Sequence, residues 1–186
     1  MTNTSSPTAA DIATAAAVGL IAGLAASFVM NRFQALTQPA ASGDGEPATE
    51  RAADDVARAV TGAPIPDADK PAAGQLVHYG AGAVLGIGYA VAAEFAPKVT
   101  LGAGTAFATL TWAMLDEVAV PAAGLSGPPW KSPIETHAYG LASHLVFGIA
   151  TETTRRLALR AHRRLADAID AAPRTPPTRT GSAARP

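Results

Sequence analysis

Two things are scarce in this 186-residue chain: cysteine, which is absent, and charge, since only 16% of the residues are Asp, Glu, Lys or Arg. The absence of cysteine excludes a disulfide framework, a thiolate nucleophile and cysteine-ligated zinc or iron–sulfur sites. An average soluble domain carries about a quarter of its residues as charged side chains. The hydrophobic content of 48% argues against a disordered chain, and the net charge of -1 argues against a nucleic-acid-binding protein.

The charges are missing from long, continuous stretches. No charged residue lies between Asp11 and Arg32, and about 20 apolar residues in a helix span the roughly 30 Å hydrocarbon core of a bilayer. A soluble helix would show polar residues on its outer face every three or four positions, and three of the apolar segments lack them. We therefore predict an all-α, polytopic membrane helix bundle with about four transmembrane helices, three being the alternative. The predicted spans are residues 11–36, 75–96, 98–120 and 136–171, the last with a basic extension.

Hydrophilic segments separate these spans. Residues 37–74 are predicted to form an outer loop, in which 47–61 make a short amphipathic helix that lies on the membrane surface or caps the bundle. Residues 121–135 are a Pro/Gly loop, and residues 1–10 and 172–186 are predicted to be disordered. Residues 1–11 contain no Lys or Arg, so the first apolar segment is expected to be a retained helix rather than a signal peptide.

Arginines indicate the orientation of the predicted bundle. Positive residues near the ends of spans stay on the cytoplasmic side. Arg32 follows the first span and is the opposing signal, but five arginines follow the fourth span within ten residues. With four spans, both termini are then cytoplasmic. The five are Arg155, Arg156, Arg160, Arg163 and Arg164.

Small residues recur at every fourth position in the first two spans. Helices associate in membranes through close van der Waals contact, which small side chains permit. The stripes therefore predict helix packing, either within one chain or between chains. They consist of Ala15, Gly19, Gly23 and Ser27 in the first span and Gly82, Gly86 and Ala90 in the second.

A few ionisable residues remain inside or near the spans. Such groups are costly in a membrane and usually face protein or water, so they form a candidate intramembrane polar cluster. The functional interpretation is a proton relay, an ion path, or a metal site built from His144, Asp116 and His78. The structural interpretation places the glutamates, including Glu117, at the headgroup level, with His144 making one interhelical hydrogen bond. The cluster comprises His144, Glu94, Asp116, His78 and Glu152.

Signatures of known chemistry are missing from the sequence. No two candidate ligands have metal-binding spacing, so neither a metal site nor a cofactor is predicted. The chain has no GxSxG, no HExxH and no phosphate-binding Gly-rich loop with a Lys, which favours a non-enzymatic protein.

Several of these residues occur in a recognisable order. The stretch from Gly88 to Lys98, the loop residues at 121–129, and His144-Leu145-Val146 followed by Glu152 and Arg155-Arg156 resemble the YagU-like family of bacterial inner-membrane proteins. The resemblance covers roughly residues 76–157 and implies a multi-pass protein of the inner (plasma) membrane. The family has no established biochemical activity, so the resemblance implies no reaction. The chain departs from it at Asp116, where the family pattern has a histidine.

Two hypotheses about function follow. The leading one is an integral inner-membrane protein that acts through helix packing or partner binding, its partners being the lipid bilayer and a second copy or another membrane protein, and not nucleic acid. The alternative is a small transporter or proton-linked membrane protein that uses His144, Glu94 and Asp116.

Overall fold

The computed structural model describes residues 6–37 and 46–172, and within these ranges the chain contains helices and no strand. The prediction of an all-α fold is confirmed, with 86% of the residues in these two ranges helical. Residues 1–10 and 172–186 are predicted to be disordered; of these, 1–5 and 173–186 lie outside the described residues, as do 38–45 of the first loop. The first helix begins at Ala9, two residues earlier than predicted. The principal helices are α1 (Ala9–Thr37), α2 (Ala48–Thr61), α3 (Lys70–Phe95), α4 (Thr105–Met114) and α5 (Ile134–Ala171).

Two of these helices, α1 and α3, are long and apolar enough to cross a membrane. They pack antiparallel through the glycines that the sequence singled out. A Cβ placed on Gly19 or Gly23 would collide with the carbonyl oxygen of Gly86 or Gly82, respectively, and one placed on Gly86 would lie 2.6 Å from Gly23 Cα. The two backbones therefore touch where a larger residue would separate them. In this structure the stripes pack within one chain.

The third apolar segment differs from the unbroken helix expected over 98–120. Residues Pro97–Gly104 form 3-10 turns whose backbone leaves helical geometry from Leu101 onward, with a positive φ at Gly102, Ala103 and Gly104. Glycine adopts this region without steric cost. At Gly104 the backbone also lies against the carbonyl of Gly148, with no room for a side chain. The α-helix proper begins only at Thr105.

The end of this segment is also irregular. After α4, Leu115–Ala119 form a π-helical turn, and Val120–Ala122 complete a last helical turn before the Pro/Gly loop. A π turn inserts one extra residue into a helix and changes the direction of the side chains around it, and such turns are frequent at functional sites. Asp116 and Glu117 lie within it.

Helix α5 completes an up-and-down arrangement. It runs antiparallel to α1, where the rings of Phe33 and Tyr139 stack 6.3 Å apart, and antiparallel to α4, where Gly148 contacts Gly104. Ala26, Met30 and Phe147 form the buried apolar core between α1 and α5. The ends of the bundle are thereby fixed: α2 and the 121–133 loop lie at one end, and the arginines of α5 lie at the other.

Helix α2 packs on the start of α3 with a face that the sequence did not indicate. The amphipathic pattern of 47–61 predicts Val56 and Val60 on the apolar face of this helix, but these side chains are 62% and 79% exposed. Ala53 and Asp54 are buried instead. Asp54 turns inward because it accepts hydrogen bonds from the Ile65 backbone N–H at 2.6 Å and from Arg58 Nε at 2.9 Å.

Candidate functional site

A cavity of about 480 Å³ opens at the end of the bundle where α2 lies. Its walls come from α1, α3, α5 and the π-helical turn, and its roof comes from α2 and the loop at 125–129. The roof pieces are joined by a hydrogen bond of 3.3 Å from Arg51 Nη1 to the Leu125 carbonyl. The polar side chains on the wall include Ser27, His78, Asp116, Glu117, His137 and His144.

Asp116 and His144 face each other across the cavity wall. His144 Nδ1 is 3.0 Å from the Gly140 carbonyl oxygen and 3.5 Å from Asp116 Oδ2. Because a carbonyl oxygen only accepts, Nδ1 carries the proton and donates it mainly to Gly140. Asp116 is therefore an ionic neighbour of the imidazole rather than its hydrogen-bond acceptor. Its side chain is 37% exposed, whereas that of His144 is 10% exposed.

Glu117 and His137 form a second, closer pair. His137 Nδ1 lies 2.6 Å from Glu117 Oε1, and His137 Nε2 lies 3.1 Å from the Pro129 carbonyl oxygen. Both ring nitrogens face acceptors, which is the arrangement that a doubly protonated imidazolium satisfies best. This pair ties the π-helical turn, α5 and the Pro/Gly loop together.

His78 and Ser27 form the wall between α3 and α1. His78 Nε2 lies 3.3 Å from the Ser27 carbonyl oxygen and donates to it. The Ser27 side chain is fully buried, and its Oγ has no hydrogen-bond partner among the described residues. A buried hydroxyl without a partner is costly in a protein interior, so such a group calls for an explanation.

A second polar centre lies toward the other end of the bundle, around Glu152. This carboxylate is 1% exposed and accepts hydrogen bonds from Tyr89 Oη at 3.0 Å, Arg155 Nε at 2.7 Å and Arg156 Nε at 2.6 Å. Arg155 Nη2 adds a fourth at 3.1 Å, making that pair bidentate. Glu94, which is half-buried near the end of α3, interacts with the charge of Arg155.

The structure thus divides the five predicted cluster residues between two places. His78, Asp116 and His144 line the cavity, whereas Glu152 and Glu94 belong to the other centre. His144 and Glu152 are eight residues apart on α5, which corresponds to about 12 Å along the helix. The packing residues Gly19, Gly23, Gly82 and Gly86 lie together on the contact of α1 with α3.

Some site residues were not among the predicted cluster. From the sequence, Glu117 was expected only to lie at the level of the lipid headgroups, and its contact with His137 was not predicted. The adjacent acids Asp116 and Glu117 after a charge-free run were the available signal. Tyr89, which closes the Glu152 centre, carried no signal beyond being a phenol inside an apolar segment.

No metal site emerges within the described ranges 6–37 and 46–172. There, no three His, Asp or Glu side chains are arranged so that they could hold a metal ion. The carboxylates and imidazoles of the cavity wall can accept and donate protons and can balance the charge of a bound molecule.

Comparison with known proteins gives one similarity. Residues 64–153 match the sequence model of a family described as protein of unknown function (DUF1440). No curated protein and no solved structure matches the chain. The matched range contains α3, α4, the π-helical turn and the first half of α5, and so carries His78, Asp116 and His144. The wall that α1 contributes, including Ser27, lies outside it.

Proposed function

We propose that this chain is a four-span integral protein of a bacterial inner membrane that binds a small solute in the cavity and exchanges protons there, as a small transporter or a proton-linked membrane protein. The observation that carries the proposal is the cavity itself. Two carboxylates and three imidazoles from α3, α5 and the π-helical turn converge on it within an otherwise apolar bundle.

The outer surface of the bundle supports a membrane environment. Large apolar side chains are exposed on four helices, a distribution that soluble monomers rarely show over so large an area. In a bilayer the same surface faces lipid and needs no partner. The exposed side chains include Leu20, Ile21, Leu24 and Phe28 on α1, Leu76 and Val84 on α3, Leu110 and Met114 on α4, and Ile149 and Leu157 on α5.

Lengths and charges support four spans with both termini in the cytoplasm. The helical segment from Thr105 to Ala122 is about 27 Å long if it rises like an α-helix, close to the thickness of the hydrocarbon core. The arginines of α5 lie at the end opposite the cavity, and the positive-inside rule places them in the cytoplasm. The cavity then opens outward. The resemblance to the YagU-like family supports the inner membrane as the location.

The packing of the glycines bears on the choice between the two hypotheses. Gly19, Gly23, Gly82 and Gly86 pack against one another inside the chain. This arrangement argues against association of two chains through these stripes, which the leading hypothesis invoked. The cavity supports the alternative, because Asp116 and His144, which the alternative uses, line it.

Thiol labelling tests the membrane arrangement, because the chain has no cysteine of its own. Thr136→Cys places a thiol on the cavity wall, Ala161→Cys on the exposed C-terminal part of α5, and Ala90→Cys in the bundle interior, where the residue is 1% exposed. In right-side-out vesicles, a membrane-impermeant maleimide is expected to label Thr136→Cys, to label Ala161→Cys only after permeabilisation, and not to label Ala90→Cys. The reverse pattern would overturn the orientation, and an unreactive Thr136→Cys would overturn the open cavity.

Proton exchange is tested in proteoliposomes that contain a pH-sensitive dye. We expect a proton flux that Asp116→Asn and His144→Gln each abolish, because both variants remove a titratable group from the cavity. Glu135→Gln, which removes an exposed carboxylate outside the cavity, is the matched control and should leave the flux unchanged. Absence of flux of protons and common ions at every pH tested would overturn the proton-linked part of the proposal.

A further inference from the structure

The cavity wall carries two carboxylates, Asp116 and Glu117, and among its described residues no lysine or arginine side chain. The histidines are the only groups there that can become positive. An anionic solute would therefore meet two carboxylates and no permanent positive charge, so the wall disfavours anions.

The two carboxylates differ in how well they are already balanced. Glu117 is held at 2.6 Å by His137, whose other nitrogen is also engaged. Asp116 has only the more distant His144 Nδ1, which gives its proton to Gly140. A carboxylate in an apolar surrounding without a hydrogen-bonded counter-ion is unfavourable, and a bound cation relieves that cost.

The rest of the wall indicates the body of the ligand. Most of the remaining wall is apolar, with Met30, Leu85 and Phe147 contributing to it, so the occupant needs an organic body rather than the hydration shell of a bare ion.

We propose that the cavity binds a small organic monocation, a protonated or quaternary amine, with Asp116 as its counter-ion. The single unbalanced carboxylate matches a single positive charge, and the volume of about 480 Å³ lies within the usual range for small-molecule sites. This assignment rests on the proposed function, because it names the class of solute that the same cavity takes.

Choline and its uncharged carbon isostere dimethylbutanol test the assignment, because they share a shape and a hydroxyl and differ in charge. Binding is measured by isothermal titration calorimetry on the full chain in nanodiscs. Trp112 fluorescence in a Trp130→Phe background provides a second readout. A Cβ on Gly140 would lie 3.1 Å from Trp112 Nε1 and 3.0 Å from Asp116 Oδ2, so that indole is close to the proposed counter-ion.

We expect choline to bind at least about tenfold more tightly than the isostere, a difference of about 1.4 kcal/mol, because only choline carries a positive charge that the Asp116 carboxylate attracts. Asp116→Asn is expected to remove this preference. Asp116→Glu keeps the charge and should retain it, which controls for a folding defect of the first variant. Glu135→Gln lowers the net negative charge equally, outside the cavity, and should bind choline as the unaltered chain does.

The outcomes separate the two proposals. Equal binding of choline and its isostere, or unchanged choline binding in Asp116→Asn, would overturn the cation assignment and leave the solute-binding cavity standing. The same holds if choline fails to bind while Thr136→Cys is labelled from outside. If Thr136→Cys is also unreactive, the cavity does not open to water and the proposed function itself fails.

Discussion

Asp116 and Glu152 are carboxylates in the same bundle, yet they differ in burial and in the number of their hydrogen-bond partners. Glu152 is 1% exposed and receives four hydrogen bonds, from Tyr89, Arg155 and Arg156. Asp116 lies on the wall of a cavity, with one imidazole nitrogen at 3.5 Å. The first carboxylate has all the partners that it needs within the chain, and the second does not.

The difference separates a structural role from a binding role. A buried ion whose lone pairs are filled by its own protein fixes the geometry of the elements around it, and removing a partner is costly. A carboxylate beside a cavity, with weak internal partners, retains its capacity for an external one. Sequence spacing placed Glu152 and Asp116 in one candidate cluster, because both are acids near the ends of apolar segments.

The largest expected effect comes from breaking the Glu152 centre. Glu152→Leu leaves Tyr89 Oη and the half-buried Arg155 without their acceptor, so we expect a loss of about 3–5 kcal/mol in the free energy of unfolding. Asp116→Asn keeps the shape of its side chain and removes a poorly balanced charge, so it should change stability by less than about 1 kcal/mol. Thermal unfolding in detergent, followed by circular dichroism, compares the two.

The informative quantity is the difference between the two variants in the free energy of unfolding. If Asp116→Asn destabilises the protein as much as Glu152→Leu does, Asp116 is a structural group and the cavity assignment loses its basis. Arg156→Ala shows how much free energy of unfolding the loss of one exposed partner costs at the Glu152 centre. The Arg156 side chain is 51% exposed, so losing this partner should cost only about 0–1 kcal/mol.

A smaller effect is expected at the helix contact that lies between the two centres. Gly86→Ala puts a methyl group 2.6 Å from Gly23 Cα, and neither backbone can yield without moving α1 away from α3. Overpacking of this kind costs about 1–3 kcal/mol. Gly88→Ala on the same helix is the matched control, because a Cβ there meets nothing within 4 Å. Since alanine favours the helix, this control should be neutral or slightly stabilising.

The measurement is the same unfolding experiment, together with thiol labelling of Thr136→Cys in the Gly86→Ala background. Since Gly82, one turn from Gly86, lines the cavity, separation of α1 from α3 should also change the labelling rate. Equal stability of Gly86→Ala and Gly88→Ala would show that the close glycine contact is not a significant source of stability.

Much of the helical architecture could be predicted from the sequence, because charge-free runs and small-residue stripes are local patterns. The runs predicted helices that became α1 and α3, and the stripes predicted that Gly19 and Gly86 lie in a helix contact. The start of the third segment was different. Gly102 and Gly104 read as ordinary small residues in an apolar run, and their local pattern indicated neither the left-handed backbone at both nor the approach of Gly148 to Gly104.

The site was harder to predict than the fold for the same reason. Whether Asp116 or Glu152 is balanced depends on side chains that are distant in sequence, such as Tyr89 at 63 positions from Glu152. The π-helical turn further shifts the faces of the third segment, so helical periodicity does not place Glu117 toward His137. Helix α2 also depends on contacts that its apolar pattern does not show. Hydrogen bonds from Arg58 and Ile65 turn Asp54 inward, although the pattern of the helix predicts that its apolar face is buried.

The smallest expected effect concerns how the cavity end of the bundle responds to acid. The backbone N–H of Ile65 and, next, the Arg58 guanidinium hold the pKa of Asp54 below its ordinary value of 3.8. A lowered pKa means that the ionised form stabilises the folded state, fully so above the ordinary value, and that this stabilisation is lost as pH falls through the lowered pKa. Asp54→Asn should therefore loosen α2, the roof of the cavity, near neutral pH. Its difference from the unaltered chain should shrink below about pH 4.

Hydrogen exchange of backbone amides, measured across this pH range, follows the cavity end and the glycine contact separately. We expect faster exchange in α2 of Asp54→Asn and unchanged exchange at the contact of Gly19 with Gly86, which contains no titratable group. Asp55→Asn removes the same charge from an exposed position on the same helix and should leave α2 as it is. If Asp55→Asn accelerates exchange as much as Asp54→Asn, general charge on α2 holds the roof, rather than the hydrogen bonds that Asp54 accepts. The cavity end would then lack the specific polar anchor that distinguishes it from the apolar glycine contact.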